Sequence, residues 1–516
     1  MSLTYEALLP LQISAEPSVL EECARLYSEH YGTWSNSHPN VGYRGKNIKL
    51  SAKKLNEWFN NNASSLYLAR NEENKIIGYA IAFNAKEKNA KKNISWVSQL
   101  VVHKDYRNSD VAKNLLYSIW GESKNYAWGI ISANPYAIRA LEKATRRRCK
   151  PICILKDIDK IKTLCIKYLP YVNEESIFFV NTETATLNTQ FFVDHNDVPD
   201  MIKNVTSLKT PWTLGDLKEG WEWIGVTFNR QEQIKLSATE LKEMIDTSDM
   251  VTKKAYSRML ITSNQKWMSH THEEIDYIIK NLSLSVHDTV YDFGCGIGRH
   301  VIELNKRGFN AYGIDYLECN IEAAKENANR IGMEGDSIFH IDDCRTTKLN
   351  KPIDAIICVY DVIGSFVDDE SNEKIIQNIN DNLKSGGRAL ITVMNYEMTQ
   401  QIATQKFSFV SEPNKLLQLE ASQTMEQTGN VFDPKYFILD DTSHIVYRKE
   451  RFEHGGLPIE LIVRDRRFSK EEICNMCEKH GLKIEQVRYV NASDWTIERN
   501  AFDKKAKEIL LICKKD

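Results

Sequence analysis

Hydrophobic and polar positions repeat along the chain with two periods, and the change from one period to the other marks the predicted elements. Residues 16–31 place apolar side chains on one face at the helical spacing. Two alternating runs, SLYLAR and KIIGYAIAF, are separated by the polar NEEN, which is typical of a β-hairpin. A third run, ISWVSQLVVH, precedes the helical KDYRNSDVAKNLLYSIW, and the strand YAWGIIS precedes the helical NPYAIRALEKATRR. This order predicts a mixed α+β domain over residues 1–149.

Residues 150–230 continue with β-type runs such as ESIFFVN and WEWIGVTF, so we assign them to an extension of the first domain. The following stretch, residues 231–250, is polar and charged, and we place the linker between two domains there. Within it, Ser237 and Glu240 have the spacing of a capping box, in which each side chain bonds the other residue's backbone amide.

The second half of the chain is organised around residues 290–300, VYDFGCGIGRH, a buried strand that runs into a glycine-rich turn and a helix. Gly294, Gly296 and Gly298 lack a Cβ where a ligand would approach the backbone. The helix that follows turns its first amide groups toward the same place. The pattern therefore predicts a cofactor loop.

Acidic residues at the ends of successive apolar runs indicate which cofactor this is. A dinucleotide loop has glycines spaced G-x-G-x-x-G, whereas here they run G-x-G-x-G after Asp292, whose carboxylate would repel a pyrophosphate but suits an ammonium group. The next run ends at Asp315, where a carboxylate can accept hydrogen bonds from both hydroxyls of a ribose. A third run ends in Asp342 and Asp343, placed to meet the edge of an adenine.

These acids, the glycine loop, the segment Val359–Asp361 and the later NDNLKSGGRALITV together resemble a class I S-adenosylmethionine-dependent methyltransferase over residues 251–516. The resemblance implies an α/β fold of the Rossmann-like, seven-stranded kind, with S-adenosylmethionine as cofactor. It implies that Asp292 faces the methionine end of the cofactor, that Asp315 holds the ribose, and that Asp343 meets the adenine beside the backbone of Cys344.

The resemblance also suggests a lid and a catalytic group. The segment before the glycine-loop strand would close over the cofactor, with Tyr256, Trp267 and His270 as candidates, although Tyr256 and Trp267 are equally suited to packing between domains. A sulfonium methyl group is already electrophilic, so the protein mainly has to align a nucleophile and exclude water. His300, Tyr360 and Asp361 are the candidate catalytic residues. Asp361 could hold an amine, and His300 could equally orient the glycine turn.

Residues 396–468 change to alternating β-type runs, which predicts a β-rich insertion on the cofactor side of the sheet. We expect this insertion to set substrate specificity. Arg464 and Arg467 are candidate anchors for a substrate carboxylate, and the alternative is a solvated basic edge strand.

In the first domain, QLVVHKDYRNSDVAKNLL followed by ANPYAIRALEKA resembles the GNAT acyltransferase family. The resemblance implies that backbone amides after Val102 wrap the pyrophosphate of acetyl-coenzyme A. Arg107 and Ala112 fit the family pattern R-x-x-G-x-A, and Asn134 matches in the later helix. Asp110, however, occupies the glycine position, where a carboxylate would crowd and repel phosphates.

A second departure from the family concerns the proton donor. Many members carry a tyrosine where Leu141 stands in this chain. If the site transfers acetyl groups, Tyr126, Tyr136 or Glu142 could supply the proton to the leaving thiolate.

Composition narrows the class of protein further. The chain has 516 residues and is 42% hydrophobic, enough for two or three domains, and no apolar run reaches the length of a membrane span. Its eleven cysteines are scattered, which is typical of reduced thiols and of a cytoplasmic protein, and we expect no metal site. A net charge of −3 gives no global reason to bind nucleic acid. Nothing in the sequence indicates an oligomeric state.

The sequence therefore predicts a fused enzyme, which is bifunctional if both domains are active. A methyltransferase acting on a small metabolite with an amine or hydroxyl group would be joined to a GNAT-like domain that acetylates the same or a related molecule. The alternative is that the GNAT-like domain only binds or docks a substrate, and that methyl transfer alone occurs, on a metabolite, a protein or an RNA.

Overall fold

The structure, a computed structural model, describes residues 3–59, 64–85, 93–207, 210–262, 266–454, 457–492 and 494–516. The chain divides into two compact units. The first comprises Met1–Val251 and Arg451–Leu461, and the second comprises Thr252–Glu450 and Ile462–Asp516.

The first unit contains the strands and helices predicted for the N-terminal half, in the predicted order. Their bounds are β1 Thr4–Leu8, α1 Pro10–Ala15, α2 Pro17–His30, α3 Ala52–Asn56, β2 Ser64–Arg70, β3 Ile76–Ala85, β4 Ile94–Val102, α4 Val111–Trp120, β5 Ala127–Ser132, α5 Pro135–Thr145, α6 Pro151–Leu155, α7 Ile158–Tyr168, β6 Ile177–Val180, β7 Ala185–Phe191, α8 Val198–Val205 and β8 Gly220–Phe228. Helix α9, Ala238–Thr262, follows and crosses from the first unit into the second.

Within the described ranges, the strands β1 to β8 form one sheet in the order β1-β2-β3-β4-β5-β8-β7-β6. The strands β6 to β8, from the predicted extension, belong to this sheet. Only β4 and β5 are parallel neighbours, and they pair solely over Ile94–Val97 and Ala127–Ile130. Because β4 continues to Val102, the two strands separate toward their carboxyl ends.

The stretch expected to link the two domains is largely helical. The capping box of Ser237 and Glu240 is confirmed, with the Glu240 amide donating to Ser237 Oγ at 3.2 Å and the Ser237 amide donating to Glu240 Oε2 at 2.9 Å. Helix α9 begins immediately after this cap, so most of residues 231–250 lie in a helix.

The second unit follows with alternating strands and helices. Their bounds are α10 Thr271–Leu282, β9 Thr289–Phe293, α11 Arg299–Lys306, β10 Asn310–Asp315, α12 Glu318–Asn329, α13 Gly335–Ile338, β11 Phe339–Ile341, β12 Ile353–Cys358, α14 Asp369–Asn382, β13 Leu383–Met394, α15 Tyr396–Ile402, β14 Lys406–Phe407, β15 Ala421–Ser422, α16 Thr424–Thr428, β16 Phe437–Asp440, β17 Ile445–His454, β18 Leu457–Arg466, α17 Lys470–Lys479, β19 Leu482–Asn491, β20 Asp494–Arg499 and β21 Glu508–Lys515.

The main sheet of this unit has the order β11-β10-β9-β12-β13-β21-β19-β20 in the described part of the chain. The strands β9 to β13 run parallel, and β21 is antiparallel to β13. The seven expected strands are present, and β20 adds an eighth at the edge beside β19. The order reverses between β9 and β12, and at such a switch point the carboxyl ends of the strands leave a crevice for a ligand.

The predicted β-rich insertion is confirmed as a separate small sheet in the order β14-β16-β17-β15, with β18 paired to β17. Helix α15 precedes it, and Phe468 at its end pairs with Asn395 at the carboxyl end of β13. Among the described residues, no helix combines the length and the apolar composition that crossing a membrane requires.

Candidate functional site

The glycine turn after β9 has the backbone conformation that the sequence predicted. Gly294, Gly296 and Gly298 have φ angles of 80°, 54° and 81°, which side chains rarely adopt. A Cβ added to Gly298 would lie 2.5 Å from the Phe339 ring, and one added to Gly294 would lie 2.5 Å from Val362. A Cβ added to Gly296 would meet no atom within 4 Å, so this position faces open space. Two of the glycines thus serve packing, and the middle one leaves room for a ligand.

Asp292, at the end of β9, has a buried carboxylate with an unused oxygen. The residue is 2% exposed, and its Oδ2 has no hydrogen-bond partner among the described residues. The nearest basic atom, His300 Nδ1, is 3.4 Å away. Since an unsatisfied buried carboxylate oxygen is costly, this atom fits the ammonium group of a ligand.

Asp315 lies at the end of the neighbouring strand β10 and holds the glycine turn. Its Oδ2 accepts hydrogen bonds from the Gly296 amide at 3.0 Å and from Asn320 Nδ2 at 3.2 Å, and its Oδ1 accepts from the Leu317 amide at 2.9 Å. Burial raises the pKa of Asp315, although these hydrogen bonds oppose the shift. The carboxylate is therefore oriented before any ligand binds.

The third acidic pair follows β11 and takes two different roles. Asp342 accepts from the Asp343 amide at 2.8 Å and from the Thr347 hydroxyl, so it shapes the turn. Asp343 pairs with Arg345 at 2.6 Å. Burial alone would raise the pKa of Asp343, but the hydrogen bonds and charge of Arg345 lower it. Cys344, between Asp343 and Arg345 in the sequence, is buried, and its carbonyl accepts a hydrogen bond from Asn378 Nδ2. Asp342 thus shapes the turn, whereas Asp343 forms an ion pair with Arg345.

His300 is buried at the start of α11 among charged groups that the sequence analysis missed. Its Nε2 lies 2.8 Å from Glu274 Oε2 on α10. The same carboxylate accepts hydrogen bonds from Arg299 and from the Tyr360 hydroxyl. Burial would raise the pKa of Glu274, but His300, Arg299 and Tyr360 together lower it to about 2. This arrangement favours an orienting role for His300, one of the two that the sequence left open.

Tyr360 and Asp361 follow β12, the fourth strand of the predicted pattern. Tyr360 has a φ of 68°, and its amide donates to Thr392 Oγ1 at 2.6 Å. Burial raises the pKa of the Tyr360 phenol well above its usual value. Asp361 is exposed, yet enough protein surrounds it that its pKa is also raised. This combination is expected for a side chain on the wall of a cleft.

A second carboxyl group missed by the sequence analysis, Glu508, lies at the same edge of the sheet. It begins β21 and is 4% exposed. Its oxygens lie 3.4 Å from Trp495 Nε1 and 3.4 Å from Thr392 Oγ1, so its hydrogen bonds are long. Burial raises the pKa of Glu508 to about 8. Two buried glutamates near Tyr360 therefore differ in charge at neutral pH, with Glu274 ionised and Glu508 protonated.

We expect Glu508→Gln to remove a pH dependence of stability. The pKa of Glu508 is higher in the folded chain than in the unfolded chain, so the folded state binds more protons and its stability falls as pH rises from about 4.5 to about 8. Glutamine cannot ionise, so the variant should gain on the order of 3 kcal/mol over the natural chain at about pH 9. Urea denaturation at about pH 5 and about pH 9 measures the difference. An equal difference at the two pH values would contradict the prediction.

Arg467, a candidate substrate anchor, is instead fully buried inside the insertion. Its guanidinium donates to Asp465 Oδ2 at 2.9 Å, to Thr399 Oγ1 at 2.8 Å and to the Val431 carbonyl at 3.1 Å. These bonds use its donors within the fold, so the anchoring interpretation is wrong for Arg467. Arg464 is half-buried.

Of the three lid candidates, Tyr256 is described in full, and His270, which directly precedes α10, is exposed. It lies on α9, and its hydroxyl accepts from Arg448 Nη2 at 3.4 Å. Arg448 is buried and pairs with Glu450 at 3.0 Å and with Asp465. The charges of Arg448 and Asp465 also act on the pKa of Asp361, so these two residues of the insertion lie near the segment that follows β12. The side chain of Trp267 lies outside the described residues.

In the first unit, the segment after β4 forms the turn expected for phosphate binding. Asp110, at the glycine position, has a φ of 55° and precedes α4, of which Ala112 is the second residue. Its carboxylate pairs with Lys113 at 3.1 Å and with Lys143 at 3.2 Å, so it is neutralised. Arg107 donates back to the Val102 carbonyl at 3.3 Å.

The candidate proton donors of this unit are largely engaged. Glu142 is 1% exposed and accepts from Arg139, from Arg148 at 2.9 Å and from the Cys149 amide at 2.9 Å, which makes it a structural ion pair. The Tyr126 hydroxyl donates to Asp157 at 3.0 Å. Asn134 caps α5 by accepting from the Tyr136 amide at 2.9 Å.

Comparison with known proteins finds a family match in each half of the chain. Residues 284–449 match a family model described as a methyltransferase domain, and residues 25–145 match the acetyltransferase (GNAT) family. The chain is 31% identical to the ubiquinone biosynthesis O-methyltransferase of Rickettsia typhi over 129 residues, which cover 24% of this chain and 50% of that protein. It is 26% identical to the mRNA cap guanine-N(7) methyltransferase of Schizosaccharomyces pombe over 117 residues, which cover 21% and 32%. The chain thus spans half or less of these relatives.

Among solved structures, the chain is similar to an S-adenosylmethionine-dependent methyltransferase from Clostridium acetobutylicum, with 16% identity and a TM-score of 0.35, covering 49% of this chain and 93% of that one. A second is the CcbJ methyltransferase from Streptomyces caelestis, with 12% identity and a TM-score of 0.37, covering 48% and 89%. On the family matches, residues 25–145 form a domain of the GNAT acetyltransferase family and residues 284–449 form a class I methyltransferase domain.

Proposed function

We propose that the second unit transfers a methyl group from S-adenosylmethionine to an amine or hydroxyl group of a small metabolite. The observation that carries the proposal is the set of acids at the ends of adjacent parallel strands, with a buried, unpartnered oxygen on Asp292 beside the open face of Gly296. A nucleoside joined to an amino acid has the hydroxyl and ammonium groups that such acids bind.

The residues present fit this cofactor. Asp292 would hold the ammonium group of the cofactor, Asp315 its ribose hydroxyls and Asp343 its adenine edge. Gly296 leaves room for the cofactor to approach the backbone. When bound, S-adenosylmethionine supplies an electrophilic sulfonium methyl group. The protein then has to orient the acceptor and exclude water. His300 and Tyr360 contribute by positioning the strand ends through Glu274.

Asp361 is the group we assign to the acceptor. It is exposed at the end of β12, next to the cofactor acids, and the charges of Asp465 and Arg448 from the insertion act on it. A carboxylate there suits an amine or hydroxyl donor of a small molecule.

The direct test is to incubate the full chain with labelled S-adenosylmethionine and with separated fractions of small metabolites, RNA and protein. We expect label in the small-metabolite fraction. Label only in RNA or only in protein would overturn the substrate class while keeping methyl transfer, and label in no fraction would overturn the activity.

The glycine turn gives a paired prediction. Gly296→Ala should lose only about 1 kcal/mol of stability, from the left-handed φ of 54°, because its Cβ meets nothing within 4 Å. It should nevertheless weaken S-adenosylmethionine binding about tenfold, because the methyl group fills the ligand's space. Gly298→Ala should instead destabilise the fold by about 2 kcal/mol, because its Cβ would collide with Phe339. Calorimetry and thermal denaturation of both variants separate the two effects. Identical behaviour of the pair would contradict the prediction.

For the first unit, we propose that the GNAT-family domain binds acetyl-coenzyme A and acetylates the same or a related molecule. The turn after β4 supports this proposal, because Asp110 adopts the left-handed conformation that the glycine of the family pattern would adopt. Its charge is balanced by Lys113 and Lys143. The buried ion pair of Glu142 instead supports a binding module without catalysis.

Asp110→Gly tests the binding of acetyl-coenzyme A by its effect on affinity. The variant removes a carboxylate from the expected phosphate site and releases two lysines, so acetyl-coenzyme A affinity should rise about fivefold. Asp105→Asn, an exposed neighbour, is the matched control and should leave affinity unchanged. Calorimetry measures both. Weaker binding by Asp110→Gly would show that the two lysines do not reach the phosphates.

A further inference from the structure

The acid assigned to the adenine edge already uses both of its oxygens within the protein. Asp343 Oδ1 accepts hydrogen bonds from the Arg345 amide at 2.9 Å and from Arg345 Nε at 3.0 Å. Its Oδ2 accepts from Arg345 Nη2 at 2.6 Å and from the same Nε at 3.1 Å. An ionised carboxylate only accepts, and each of its oxygens takes about two hydrogen bonds. An adenine amino group, which donates, therefore finds no oxygen of Asp343 left to accept from it while Arg345 stays in place.

A second contact holds the Arg345 side chain. Its guanidinium carbon lies 4.4 Å from the centre of the Phe366 ring, in the segment after β12. A planar guanidinium can stack on an aromatic ring while its edge pairs with a carboxylate. The side chains of Arg345 and Asp343 are 33% and 30% exposed, so solvent screens their ion pair only in part. The guanidinium is thus fixed by its partners before a ligand binds.

The same guanidinium keeps a donor for a ligand. Among the described residues, Arg345 Nη1 has no hydrogen-bond partner, because the carboxylate of Asp343 takes Nε and Nη2. A second cation lies nearby, with Lys253 Nζ 4.4 Å from the centre of the Phe366 ring. Arginine and lysine side chains donate hydrogen bonds and do not accept them. The surface around Phe366 therefore offers donors to a ligand, where Asp343 without Arg345 would offer an acceptor.

The ion pair lies at the same edge of the sheet as the acid assigned to the ribose. Asp315 ends β10 and pairs in register with Ile341, the last residue of β11. The Asp342 amide donates to the Asp315 carbonyl at 3.1 Å, so the turn that carries Asp343 begins beside Asp315. Since a base is joined directly to its ribose, a ligand whose hydroxyls bind Asp315 would bring its base to this turn.

We propose that Arg345 selects the base of the cofactor by donating a hydrogen bond to a ring nitrogen, and that Asp343 acts on the base only by holding Arg345. This role rests on the binding of S-adenosylmethionine proposed above. Adenine carries acceptor nitrogens in its rings as well as the amino group, so a guanidinium suits it. The base contact thus differs from the one that the resemblance implies, in which Asp343 itself meets the adenine.

The experiment compares two ligands by calorimetry on the full chain. One is S-adenosylhomocysteine, and the other is its counterpart with unsubstituted purine in place of adenine, which lacks only the amino group and keeps every ring nitrogen. We expect the two affinities to agree within about threefold. A loss of about tenfold or more without the amino group would overturn the proposal, because the amino group would then have a charged acceptor. Binding of neither compound would remove the cofactor assignment and this proposal with it.

Arg345→Met removes the guanidinium, keeps an apolar side chain beside Phe366 and uncovers Asp343. This variant should prefer S-adenosylhomocysteine over the purine compound by at least about tenfold, because the carboxylate can then accept from the amino group. Arg330→Met removes an exposed arginine paired with Glu326 at 3.4 Å and is the control, which should bind both compounds as the natural chain does. A merely structural role of Arg345 would weaken both ligands together and create no preference, so equal binding by Arg345→Met would overturn the proposal. If that variant does not fold, the comparison in the natural chain still decides.

Discussion

Replacing Asp315 with alanine is expected to weaken the binding of S-adenosylmethionine by about 100-fold. The two hydrogen bonds that the ribose hydroxyls would donate to this buried carboxylate each contribute about 1.5 kcal/mol. The effect has a second source in the structure. Asp315 also holds the Gly296 amide at 3.0 Å and the Leu317 amide at 2.9 Å, so its loss loosens the turn that the ligand approaches.

Two further variants make this prediction specific. Asp315→Asn keeps the side-chain volume. If its oxygen accepts from the Gly296 amide and from Asn320, its own amide group must face the Leu317 amide, which is also a donor. The variant should therefore lose nearly as much affinity. Asp336→Ala removes a solvated carboxylate paired with Lys325 and should bind normally. Isothermal calorimetry measures all three. Affinity within about twofold of the natural chain for Asp315→Ala would remove the cofactor assignment.

The cofactor side of this site could be predicted because its residues are local in sequence. Asp292 and Gly296 lie within one strand–turn–helix, and Asp315 ends the next apolar run, so parallel order alone brings them to one edge. The hydrogen bond between Asp315 and the Gly296 amide follows from that register. Short-range patterns were sufficient here.

The charged groups around His300 could not be assigned because their partners are distant in sequence. Glu274 precedes the glycine turn by a whole helix, and Glu508 begins the last strand of the chain. One signal was present: Glu274 falls on the apolar face of α10 with Ile278 and Leu282, where a charge is unexpected unless it is paired. Glu508 shares its face of β21 with Leu510 and Ile512 in the same way.

Arg467 shows the opposite error, in which a charged residue in an alternating run was interpreted as a ligand anchor or as part of a solvated edge. Its partners, Asp465 and the Val431 carbonyl, come from the same strand and from a turn whose position depends on the insertion's own fold. Alternation predicts the strand, but it does not say which face meets a second layer. Buried ion pairs of this kind need the three-dimensional arrangement.

The largest expected effect on stability is at Glu274, whose carboxylate pairs with Arg299 and His300 and accepts from the Tyr360 hydroxyl. Glu274→Ala would leave a buried guanidinium and a buried imidazole without a counter-ion, so we expect the second unit to lose about 3–5 kcal/mol. The pKa of Glu274 is lowered to about 2, below its unfolded value, so its contribution is present above about pH 4.5 and is lost as pH falls toward 2.

Hydrogen exchange followed by mass spectrometry tests this prediction in the full chain, because it reports the opening free energy of α10 and α11 without assuming that both units unfold together. Glu273→Ala, the exposed neighbour on the same turn of α10, is the matched control and should change these peptides by less than about 1 kcal/mol. Since His300 is held 3.4 Å from the unpartnered oxygen of Asp292, the Glu274 variant should also bind S-adenosylmethionine more weakly. Protection of α11 equal to that of the control would mean that Arg299 and His300 find other partners, and that the glycine turn does not depend on Glu274.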